Sequence, residues 1–156
     1  MTPEKLQQDL VKELATLFSN LEFKDTDNKV VPMNFYKQML PQRESEDEKE
    51  PFPWCVVKLR DNEVTGSKDM EQKQDVELWF GIYYDNLDGQ YQHMMLTMFE
   101  KVKKRFLTDP TLSEFYAEPK ILSLLNEEDA KTYPFYFGAM ALTFLMPNYE
   151  REDEYS

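Results

Sequence analysis

The stretch from Gln74 to Asp109 constrains this chain most, because two different periodicities meet in it. Val76, Leu78, Phe80, Ile82 and Tyr84 recur at every second position between Asp75 and Tyr84. That alternation is the mark of a strand with one buried face. The opposite face still carries Trp79 and Tyr83, so a second layer or a second subunit is expected to cover it. Beyond the turn Asp85-Asn86-Leu87-Asp88-Gly89 the period changes. Tyr91, Met95, Met98, Phe99, Val102 and Phe106 follow at spacings of three and four, one apolar stripe along a helix. Asp85 or Asp88 is placed to cap that helix. Lys103, Lys104 and Arg105 complement the negative end of its dipole, and Asp109-Pro110 closes it.

The flanks extend the pattern. Thr2-Pro3-Glu4 opens a first helix with a hydroxyl cap, a proline at the first position and a carboxylate in the first turn. Its stripe is Leu6, Leu10, Leu14, Leu17 and Leu21, widened by Val11 and Phe18. Lys29 to Tyr36 is strand-like, but Pro32 restricts it to an edge strand or an extended arm. Trp54 to Asp61 is expected to pair with Asp75–Tyr84 as an antiparallel hairpin, with the polar stretch Asn62 to Lys73 as its long connection. A strand from Pro119 to Leu125 and a last, aromatic strand from Tyr133 to Met146 complete the order α-β-β-β-α-β-β. Gln42 to Glu50 has no apolar residue and reads as a mobile loop. Tyr149 to Ser156 reads as an acidic tail. The prediction is a single α+β domain over 1–156, a mostly antiparallel sheet with two main helices on one face.

Composition narrows the function. The chain has 156 residues, 41% of them hydrophobic, enough for one domain with a real core. Its 30 carboxylates against 18 Lys and Arg argue against a general nucleic-acid binder, which needs a positive surface, and against an anionic membrane. No apolar segment approaches the ~20 residues that span a bilayer, and no secretion signal is visible. One cysteine, Cys55, forms no intramolecular disulfide. A reducing, soluble compartment is therefore expected.

Little in the chain suggests catalysis. His93 is the only histidine, and no ligand partner stands at metal-binding spacing on its helix. Cys55 lies mid-strand, where a thiol behaves as a small hydrophobe. There is no Gly-x-Gly-x-x-Gly, no phosphate loop and no zinc spacing, and only four glycines occur. No catalytic, cofactor-binding or metal-binding residue is assigned, no cofactor is expected, and the reading is of a protein that is not an enzyme. Tyr133-Pro134-Phe135-Tyr136-Phe137-Gly138 is either a core strand or an interface strand. In the second case the contact face is Tyr136, Met140 and Leu142, or its alternate Phe137, Ala139 and Ala141, with Trp79 and Tyr83 as further contact residues.

The order of several motifs resembles a known family. Val31-Pro32-Met33-Asn34-Phe35-Tyr36-Lys37-Gln38-Met39-Leu40-Pro41 is followed by an acidic loop and by Pro51-Phe52-Pro53-Trp54-Cys55-Val56-Val57-Lys58-Leu59-Arg60. Then come Gly81-Ile82-Tyr83-Tyr84-Asp85, Asp88-Gly89, Phe99-Glu100-Lys101-Val102, Tyr133 to Gly138 and finally Arg151-Glu152-Asp153. Together, over about residues 30 to 153, they resemble the tail-terminator (tail-completion) proteins of phages and prophages of Gram-positive bacteria. The resemblance implies a structural virion protein, a ring of typically six copies on the head-proximal end of the tail tube. Such a ring ends tube polymerisation and joins the neck. The implied partners are further copies of the chain, the tube protein and a neck or head-completion protein. DNA passes through without specific binding, and no membrane is involved. The implied location is the tail–neck junction of a virion assembled in the bacterial cytoplasm. Where relatives carry Arg-Asp or similar after the helix-opening glycine, this chain has Gln90-Tyr91-Gln92-His93, so no role is carried over for that turn. Other classes remain: a different neck or head-closure component, or a small acidic host-interaction or regulatory protein.

Overall fold

The computed structural model describes residues 2–42, 45, 50–66, 71–86, 88, 90–126 and 132–146. Helix α1, Pro3–Leu17, starts as the sequence requires: the Thr2 side chain accepts from the Lys5 N–H, and Pro3 takes the first turn. Leu6, Leu10 and Leu14 are fully buried along one stripe. The helix ends at Leu17 rather than continuing to Leu21, which packs against the core from the following turn. Helix α2, Gln90–Thr108, buries Met95, Met98, Phe99, Val102 and Phe106. Asp88 caps it, its Oδ1 accepting the Gln90 N–H at 3.0 Å. Arg105 joins the two helices, donating to Glu13 on α1 and to the Asp109 and Thr111 carbonyls.

The strands form one sheet. They are β1 Phe23–Lys24, β2 Val30–Val31, β3 Asn34–Lys37, β4 Trp54–Thr65, β5 Glu71–Tyr83, β6 Thr111–Leu112, β7 Phe115–Ala117, β8 Leu122–Leu125 and β9 Phe135–Met146. Pro32 splits the expected arm into β2 and β3, and β3 becomes an edge strand, paired parallel to β4. All other pairings are antiparallel. The fold is thus α+β with a mostly antiparallel sheet. Short strands at Phe23–Lys24, Thr111–Leu112 and Phe115–Ala117 add to the expected order, since two- and three-residue strands leave no readable period.

The expected hairpin forms, but its connection is much shorter than expected. Asn62–Thr65 belongs to β4 and Glu71–Lys73 to β5, and these residues pair with one another. Residues 67–70 lie outside the described residues. Gln72 and Gln74 continue the inward face of Val76 and Leu78, both nearly fully buried. A β-bulge falls between Leu59 and Asn62, and such a bulge leaves ladder groups unpaired. Gln74 meets that need by donating to the Arg60 and Asp61 carbonyls, while its own Oε1 accepts from the Asn62 amide at 2.8 Å. Of the Gln42–Glu50 loop only Gln42, Ser45 and Glu50 are described, and the Tyr149–Ser156 tail lies outside the described residues.

Both helices cover the same face. Leu6, Leu10 and Leu14 of α1 and Met95, Met98, Phe99, Val102 and Phe106 of α2 share one core cluster with Val76, Leu78, Phe80 and Ile82 of β5. Glycine permits close approach at two sites. A Cβ on Gly138 would lie 2.9 Å from Phe99 Cζ, beneath α2, and one on Gly81 would lie 2.3 Å from Trp54 Cε2, on the opposite face. Neither position tolerates a methyl group unless its neighbour moves. Gly81→Ala should therefore destabilise the fold by roughly 1–3 kcal/mol, the usual cost of overpacking. In a Trp54→Leu background the same substitution should cost less than about 1 kcal/mol, because the clashing ring is gone. Urea denaturation of the four proteins of this cycle checks it; an equal cost in both backgrounds contradicts the packing described.

Candidate functional site

Strand alternation decides which side chains meet the helices and which face outward. In the β5–β9 register Ile82 lies opposite Tyr136, Leu78 opposite Met140 and Val76 opposite Leu142. Residues directly opposite share a face, so Tyr136, Met140 and Leu142 are on the helix side. They are 4%, 2% and 3% exposed. The expectation that these three form a contact surface is thereby corrected: they are core residues beneath the helices, unavailable to a neighbour. Tyr136 also stacks on Tyr91 of α2, ring centroids 3.8 Å apart. The alternate set, Phe137, Ala139 and Ala141, faces outward, opposite Gly81, Trp79 and Glu77.

That outer face has two halves. One is closed by the chain's own aromatics: Phe52, Trp54 and Val56 are buried there, with Tyr36, Leu40, Tyr83, Phe135 and Phe137 packed around them. Phe52 and Phe135 have ring centroids 4.6 Å apart, and Tyr83 packs on Phe135 at 5.8 Å. Tyr83 is thus only half-exposed, part of a local aromatic cluster. Trp79 sits beyond the cluster and is 43% exposed.

The second half is an open trough of about 640 Å³. Ala139 and Ala141 form its floor, Trp79 one wall, and Leu122 and Leu124 of β8 the other. The two leucines are 58% and 65% exposed. Among the described residues Glu77 is the one charged side chain lining the trough. It accepts from Trp79 Nε1 at 2.9 Å and faces Arg60 at 3.7 Å. Lys58 Nζ lies 4.6 Å from the Trp79 ring centroid, a cation–π contact that restrains the indole together with its bond to Glu77. The indole is therefore oriented while still presenting apolar area. Leu122 and Leu124 were not anticipated as surface residues; the signal was present in the alternation Leu122-Ser123-Leu124, which places both leucines on one side of an edge strand.

The residues weighed for chemistry lie apart from the trough. Cys55 is fully buried in the main core, and burial pushes its thiol up, away from the thiolate that reacts. His93 is an exposed residue in the early turns of α2. Among the described residues no group of three His, Cys, Asp or Glu side chains is placed to hold a metal ion, and no helix is long and apolar enough to cross a membrane. Comparison with protein-family models finds no match, and neither does comparison with curated proteins.

A polar contact anchors the strand that forms the trough's floor. Tyr133 Oη donates to Asp85 Oδ1 at 2.5 Å, tying the start of β9 to the end of β5. This bond to a carboxylate, reinforced by desolvation, pushes the Tyr133 phenol up to about 12. A raised phenol pKa means that the folded chain holds its proton more tightly than the unfolded one. Its contribution to stability is complete below the ordinary tyrosine value of about 10 and is lost as pH rises from there towards 12. Ultraviolet titration should find one tyrosine ionising near 12 that Asp85→Asn returns towards the ordinary range. An unchanged titration curve in that variant contradicts the assigned contact.

Proposed function

We propose that this chain is a structural assembly protein that closes into a ring on the end of a phage or phage-like tail tube. There it stops polymerisation and supplies the surface for the neck. The family resemblance over residues 30–153 supplies the identity of the assembly. The structural observation that supports an assembly role is the bare outer face: Trp79, Leu122 and Leu124 surround an apolar trough that neither helix covers. Contiguous exposed apolar surface rimmed by polar groups is characteristic of sites where proteins meet.

The physics of capping fits such a surface. A terminator has to match the tube end on one side and present a different surface on the other, so its subunit contacts run laterally between unlike patches and close by rotation. An aromatic anchor in a shallow apolar trough suits that task, because a tryptophan brings large area with few rotors to freeze. The net charge of −12 keeps a ring wall from gripping DNA phosphates as the genome passes.

Two experiments test the reading. Deleting the gene from a producing phage or prophage should yield overlong tails and heads without tails in electron micrographs; normal tails of normal length joined to heads would end it. Trp79→Ala should leave folding stability within about 1 kcal/mol of the parent, since the ring is partly solvated. It should weaken assembly by about 2 kcal/mol or more, read as loss of tail-capping when the variant is supplied in trans. Full complementation by Trp79→Ala would remove the trough from the contact.

A further inference from the structure

We propose that the β8 edge is a self-pairing edge, at which two copies of this chain join their sheets about a two-fold axis through Ser123. Among the described residues β8 pairs with β9 alone, and its other side is a sheet edge that none of them covers. The Asn126 N–H donates to the Phe137 carbonyl at 3.2 Å. In an antiparallel ladder this direction alternates. The backbone groups of Leu124 and Leu122 therefore turn to β9, and those of Ser123 and Leu125 turn outward. Sheet edges are normally protected by charge, proline or a bulge. The β3 edge carries Lys37 within the strand, whereas the four residues Leu122-Ser123-Leu124-Leu125 include no charge and no proline; Pro119 and Lys120 lie just before them.

The occupant follows from charge and register. At −12, two copies of this chain repel one another over most approaches, and self-association needs a face where no like charges oppose. An antiparallel β8–β8 pair centred on Ser123 supplies one. It sets Leu122 opposite Leu124 of the other copy on the outer face and Ile121 opposite Leu125 on the inner face. At each end Lys120 stands opposite the uncharged Asn126. Each opposed pair is then apolar with apolar, cation with neutral amide or, at the axis, serine with serine, and the outward backbone groups of Ser123 bond their own counterparts. Pairing by any register one residue away would set outward-facing against inward-facing side chains. Four strand residues bury far less than the ~800 Å² per partner of a stable complex, so the pair is a weak, concentration-dependent dimer. It is distinct from the ring contacts proposed above, which join unlike patches.

A cysteine trap tests the pairing. Opposed residues of an antiparallel pair have Cα atoms about 4.5–5.5 Å apart, within disulfide reach. Ser123→Cys should therefore oxidise to a covalent dimer at least about tenfold faster than Ser19→Cys, an exposed control on the turn after α1, because pairing raises the local thiol concentration. The native Cys55 is buried and does not compete. Adding Leu124→Lys to Ser123→Cys should bring the rate down to that of the control, since two lysines would then flank the axis. Sedimentation of the parent chain should show reversible dimerisation that Leu124→Lys abolishes. Equal oxidation rates at positions 123 and 19, or a parent chain that stays monomeric across the concentration range, would overturn the proposal. Neither result bears on tail capping, which the gene deletion reads separately.

Discussion

The structure depends on the long antiparallel pairing of β5 with β9, unbroken from Gln72 opposite Met146 to Tyr83 opposite Phe135. Both strands alternate, and their buried faces coincide only in this register. A slip of one residue would turn Val76, Leu78, Phe80 and Ile82 away from the helices and bring Glu77 and Trp79 beneath them. Burying the Glu77 carboxylate there without partners is expensive enough to exclude the alternative. Helix placement, core composition and the position of the open face all follow from that one alignment.

Close packing on the two faces is unequal, and glycine marks both contacts. On the helix side Gly138 lets Met95 and Phe99 of α2 approach the sheet, while on the outer side Gly81 accepts the Trp54 indole directly on its Cα. The first contact seats a helix; the second seats a local aromatic cluster that closes only half of the outer face. What remains open is floored by Ala139 and Ala141, whose small side chains leave the trough between Trp79 and the β8 leucines. The exposed apolar area is a property of the pleat together with small residues on a central strand.

Much of this architecture was legible in the chain. The two amphipathic helices, the Thr2 and Asp88 caps, the β4–β5 hairpin and the aromatic last strand all rest on strong local periods, and they appear where those periods place them. Polar strand ends were not legible. Gln72 reads as part of the connection and Gln74 has no assigned face, because amides are seldom core residues, yet here both face inward, Gln74 to satisfy the carbonyls of a bulge that only the folded hairpin creates. The face of the last strand was undecided for a related reason. Tyr136, Met140 and Leu142 and their alternates Phe137, Ala139 and Ala141 are all apolar, so composition gives no parity, and only the register with β5 assigns it. The alternation Leu122-Ser123-Leu124 puts both leucines on one side, but four residues do not show that the strand lies at an edge with that side uncovered.

The central claim is that this fold places both helices on one face of the sheet and leaves half of the other face open, the half proposed for contacts with other molecules. Hydroxyl-radical footprinting of the free and assembled chain measures this directly. Trp79, Leu122 and Leu124 should lose labelling on assembly, whereas Leu96 and Leu107, exposed on the solvent side of α2, should be labelled equally in both states. Protection of Leu96 and Leu107 with Trp79, Leu122 and Leu124 unchanged would show that the helix layer makes the contacts, and would contradict the account.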